Sequence, residues 1–318
     1  MSEIYQDRPA FEAVEEVLRG ELAKGDVVLA TTRPILRHLL ANGDQSYFSD
    51  EVIAKVRGML GHAARQLLMA YASAANVDDP EDFIEDRQAD LAQYLVEDVA
   101  FLSHAHALTM EVQLADQLQR RSGIDCVLSP LLQELAASSD AGMAASAMRV
   151  LSSQARFVQQ MRRMDLPLGE LPGDLFHKAL QLLRSTAEDA GILARAEEAL
   201  RSDYDESESR LGQITQLVMA MGRNAPRALA IDHAGLAIFS TALAMASEQD
   251  RNLAILSYGE NQLARLALSL RAAGMQQNAL EEQFMYLHPE VTLPDGFNQI
   301  TAERAAAMLG TSQPVKPA

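Results

Sequence analysis

The chain is 318 residues long, 48% hydrophobic and 5% aromatic, with no tryptophan, and its 27 Lys and Arg face 44 Asp and Glu for a net charge of −17. That much apolar surface excludes disorder of the chain as a whole, and the aliphatic, aromatic-poor mix points to packed helices rather than sheets. The acidic field argues against general binding to nucleic acid or an anionic membrane surface, and Cys126, the single cysteine, excludes an intrachain disulfide or a multi-cysteine metal site.

In chain order, PAFEAVEEVLRGELAKG reads as a helix with proline near its start and Gly25 as its stop, and a second helix runs from Asp26 to Asn42, halted by Asn42-Gly43. Ser49 is placed to cap a third, DEVIAKVRGMLGHAARQLLMAYASAAN. From Asp82 the helical pattern continues to Gly123, long enough to require a break near Ser103 or two helices end to end. Ser129 and Asp140 then cap the two arms of an α-hairpin, SPLLQELAAS and the helix running to about Met164.

MDLPLGELPGD, residues 164–174, holds two prolines and two glycines and cannot be one helix. It divides the chain into an expected helical domain over 1–166, a hinge at 167–173 and a second helical domain over 174–310, with 311–318 as a disordered tail. The second half repeats the helix–glycine–helix grammar through DHAGLAIFSTALAMASE, SYGENQLARLALSLRAAGM and NALEEQFMYLHPEV. The expected fold is therefore all-α, built of antiparallel hairpins as a HEAT-like array or as two packed bundles. LLQELAASSDAGMAASAMRVL resembles a HEAT-like unit, but no second copy aligns with it. The run IFSTALAMASEQDRNLAILSYGENQLARLALSLRAAGM, residues 238–275, resembles part of a group of uncharacterised alphaproteobacterial helical proteins, on Leu, Ala and Gly positions that carry no catalytic role.

Among chemistry-bearing residues, Glu97, His104 and Glu111 lie seven apart and would share one helical face as polar groups of a ligand pocket. His106 is turned about 200° from His104, so the two cannot chelate one metal from an unbroken helix, and no metal or other cofactor is expected. His62 with Arg65 one turn later could serve histidine phosphotransfer. Arg149, Arg156 and Arg163, spaced by seven, form a stripe joined by Arg162, with Ala144, Ala147, Met148, Leu151, Ala155 and Val158 expected as the opposing core face. Such a stripe on an acidic protein suits an acidic or phosphorylated protein partner. No glycine-rich phosphate loop, G-x-S-x-G or H-E-x-x-H occurs.

The N-terminus lacks the order of a signal peptide, and no apolar run approaches the ~18–20 residues of a membrane span. The reading that follows is a cytoplasmic, non-enzymatic interaction or regulatory protein that binds a protein partner through helical surfaces. Its alternatives are an enzyme or small-ligand protein with a pocket between the two halves, and a histidine phosphotransfer protein.

Overall fold

A computed structural model describes residues 8–42 and 50–312, and every regular element among them is helical. In chain order the α-helices are α1 (Arg8–Asn42), α2 (Asp50–Ala75), α3 (Pro80–Glu97), α4 (Val99–Ser122), α5 (Pro130–Ala136), α6 (Ala141–Arg163), α7 (Gly173–Thr186) and α8 (Ala190–Asp203). They continue as α9 (Arg210–Ala220), α10 (Ile231–Ala246), α11 (Arg251–Leu256), α12 (Leu263–Ala272), α13 (Gln277–Leu287) and α14 (Ala302–Thr311), with short 3-10 turns between several of them. The all-α expectation holds. Ser49, Gly43 and residues 313–318 lie outside the described residues, whereas Thr311 and Ser312, expected in the tail, end α14 in hydrogen-bonded positions.

The chain divides into two compact units, one of residues 1–32, 113–147 and 217–318, the other of residues 33–112 and 148–216. This differs from the division expected at the Pro/Gly segment, which falls within the second unit. The reason is burial: Leu166, Leu168 and Leu171 enter that unit's core, and the Gln66 side chain receives the Leu168 N–H at 3.1 Å while donating to the Leu166 carbonyl at 2.9 Å. Proline and glycine here shape a turn whose polar backbone is satisfied from α2, so it does not behave as a linker.

The helix α1 has 35 residues, those up to Thr32 belonging to the first unit and the rest to the second, and Gly25 does not end it. A Cβ at Gly25 would meet Gln262 Oε1 at 2.8 Å and the Asn261 carbonyl at 3.0 Å, while Gln262 Nε2 donates to the Gly25 carbonyl at 2.6 Å. The glycine is a close-approach point, a role that the sequence pattern of a cap does not distinguish. The centre of the first unit is α10, buried along nearly its whole length. It bends at Gly235 (φ 72°), where a Cβ would stand 3.1 Å from that of Ser129, the residue whose hydroxyl caps α5. Among the described residues no single helix is long and apolar enough to cross a membrane; the segments Gly222–Leu229 and Ile231–Ala246 pass such a test only as a pair bent by 109°.

In the second unit, α2 is the spine, with α3 and α8 packed along it and α7 against both α2 and α3. Val56, Met59, Leu60, Ala63, Ala64 and Leu67 run along its buried face at helical spacing. The long pattern between residues 82 and 123 does break, at Asp98, five residues before Ser103: its extended backbone (ψ 118°) ends α3, and its carboxylate accepts from the N–H groups of Ala100 and Phe101 to start α4.

At the start of α9, Ser209 Oγ donates to the Glu206 carbonyl at 2.7 Å and accepts from the Gly212 N–H at 3.0 Å. A Cβ on Gly212 would be driven into that same carbonyl. Gly212→Ala is accordingly expected to lower the unfolding free energy by ~1–3 kcal/mol in urea titrations; an unchanged midpoint would mean that the turn can shift to admit the methyl.

Candidate functional site

The arginine stripe lies on solvent. Arg149, Arg156, Arg162 and Arg163 are all exposed on α6, together with Met148 at 50%. The helix's buried side consists of Ala147, Val150, Ser153, Gln154, Phe157 and Met161. Of the expected core stripe only Ala147 is fully buried; Ala144, Leu151, Ala155 and Val158 are half-buried. The burial face is thus centred on residues 150, 154 and 157, where Phe157 and Gln154 meet Arg210. No acidic residue occurs anywhere in the 23 residues of α6. Among the described residues, no ion pair engages Arg156, Arg162 or Arg163. The last two also sit in the final turn, where the helix dipole favours cations.

The Glu97, His104 and Glu111 set is not brought together. Glu97 is exposed at the end of α3, where Gln93 donates to it at 3.1 Å, and the break at Asp98 places it on a different helix from His104. His104 and Glu111 are both buried on α4. Glu111 is engaged by Arg210, which grips its two oxygens at 2.7 and 3.0 Å, donates to Gln154 Oε1 at 3.2 Å and lies 3.6 Å over the Phe157 ring. The Arg210 N–H also donates to Glu170 at 2.7 Å. This set has the chemistry of a structural ion pair, with both Glu111 oxygens engaged by Arg210. Arg210 was missed from the sequence because nothing local separates a buried arginine from an exposed one.

His62 is half-buried on α2 without Arg65 as its partner. Its Nδ1 accepts from the Leu166 N–H at 3.1 Å and from Gln66 Nε2 at 2.9 Å, which assigns the ring proton to Nε2, 3.7 Å from an Asp165 oxygen. Arg65 pairs with Glu81 instead. A phosphoryl group at Nε2 would therefore face a carboxylate, the reverse of what phosphotransfer requires.

Each unit also contains a concavity. The first unit has a cleft of about 750 Å³ bounded by α1 (Val17, Leu18, Val28) and by Leu263, Phe284 and Leu293. The second unit has a cavity of about 490 Å³ between α2, α3 and the corner joining α7 to α8. Its side chains include Phe83, Arg87, Asp90 and Tyr94, all from α3. Their spacing of four, three and four puts them on one helical face, a signal present in EDFIEDRQADLAQYL but indistinguishable there from a solvated stripe. Among the described residues, no group of three or more His, Cys, Asp or Glu side chains could hold a metal ion.

No family model matches the chain, and no curated protein or solved structure matches it either.

Proposed function

We propose that the protein is a non-enzymatic, cytoplasmic interaction protein and that the exposed face of α6 binds an acidic segment of a protein partner. One observation carries this reading: a helix with four arginines and no acid, three of them, Arg156, Arg162 and Arg163, in no ion pair among the described residues, in a chain whose acids exceed its bases by 17. Arginine and methionine are among the residue types enriched at protein interfaces. An acidic segment would gain bidentate carboxylate–guanidinium bonds along the Arg149–Arg156–Arg163 line, with Met148 as an adaptable apolar contact beside it.

The expected result of affinity capture is one stoichiometric protein retained by the tagged wild type and weakened at least tenfold by R149E/R156E/R163E, with helicity by circular dichroism unchanged and with binding that falls as salt rises. Retention of the same protein by the triple variant would remove α6 as the site.

A further inference from the structure

We propose that the cavity of the second unit binds a small amphipathic organic cation, an ammonium group carried on an aromatic or aliphatic body. The size of about 490 Å³ is that of a small-molecule pocket. Its inner wall is apolar, from Leu68, Leu91, Leu183 and Ile192. Tyr71 and Phe83, both in its lining, stack on each other with ring centroids 5.9 Å apart and planes 11° from parallel, and Tyr94, also in the lining, is 44% exposed.

Three carboxylates line the cavity, Asp90, Glu188 and Asp189, against one cation, Arg87. That cation offsets only one of the three charges, and its guanidinium lies 4.2 Å over the Phe83 ring and, among the described residues, forms no ion pair. Asp189 is committed as the cap of α8, accepting from Gly191 and Ile192, and those backbone bonds hold its carboxyl below the usual range and therefore ionised. Asp90 and Glu188 have no ion-pair partner among the described residues, so their charge is available. Arg87 already covers one face of Phe83, so the exposed ring of Tyr94 is the aromatic face whose quadrupole would attract a ligand cation.

The corner is also braced in place. The Asp189 N–H donates to the Tyr71 hydroxyl at 3.3 Å, and Glu197 of α8, buried, is held by Arg184 from α7 and by Arg201 at 2.9 Å. A fixed wall of this kind keeps the ordering cost of binding low.

The test is calorimetric titration of the whole protein with phenylbutyl-trimethylammonium and, separately, with phenylvalerate, an anion on a comparable body. The cation is expected to bind saturably with Kd on the order of 1 mM or tighter, and the anion more weakly. D90N/E188Q, at two exposed positions that leave the fold intact, is expected to weaken the cation about tenfold. Y94A should weaken it as well and confirm that the probe sits in this cavity rather than on the acidic surface at large. Preference for phenylvalerate would assign the cavity to an anion on Arg87 and overturn the proposal. Equal affinity in D90N/E188Q, or no saturable binding of the cation, would overturn it too.

Discussion

Glu111→Ala is expected to destabilise the protein by ~3–5 kcal/mol, a large part of what holds a domain of this kind folded. Both members of the Glu111–Arg210 pair have side chains only 2% exposed, and their two parallel bonds at 2.7 and 3.0 Å satisfy the carboxylate and one edge of the guanidinium. Removing the carboxylate strands a guanidinium among Phe157, Gln154 and the start of α9, where water cannot reach it. Arg210→Met should cost a similar amount by stranding the carboxylate.

The double variant, E111L/R210M, is expected to be far less damaging than the sum of the two, because it removes both desolvated charges and leaves apolar side chains of comparable volume. Urea unfolding of the wild type, two singles and the double gives the coupling energy directly. Singles that cost less than ~1 kcal/mol would mean that water enters this part of the unit.

Acid should weaken the fold well before its carboxylates protonate. His106 is buried on α4, and that burial, with the charge of Arg33 as the lesser cause, holds its pKa down to about 4 from the ordinary 6.5. Above pH 6.5 the ring is neutral in both folded and unfolded chains, and it makes no pH-dependent contribution. As pH falls from 6.5 toward 4, the unfolded chain takes up a proton that the native state refuses, so stability declines, by up to about 3 kcal/mol at the lower end; below that both states are protonated and this loss levels off. The urea midpoint of the wild type is therefore expected to drop steadily between pH 7 and pH 5. His106→Leu should flatten that slope whatever it does to the absolute midpoint. An equal slope in the variant would mean that His106 titrates normally and is reached by water.

The two helix caps at Ser129 and Asp140 show what is local in this molecule. Each rests on a side-chain oxygen two or three residues from the N–H it receives, so the chemistry is complete within a few residues and readable in their order. Gly25 shows the opposite case. A glycine that ends a helix and a glycine that admits a neighbour look alike in sequence, and only the presence of Gln262 across from it distinguishes them. The same holds for residues 164–174, where prolines and glycines mark a turn without saying whether that turn faces water or a core.

The candidate sites divide in the same way. The exposed arginines of α6 were legible because a seven-residue spacing on one helix is a local fact, and the absence of acids along that helix is another. The capture of Glu111 by Arg210, 99 residues away, and the cavity that joins α3 to the α7–α8 corner depend on which helices meet. By itself, then, the sequence determined the all-α class, most helix starts and the basic face of α6, since these follow from propensity, capping and periodicity. Only the tertiary structure decided which charges are buried, where the chain divides into compact units and which aromatic rings enclose a cavity, because long-range packing sets the desolvation of each group and no pattern within one helix encodes it.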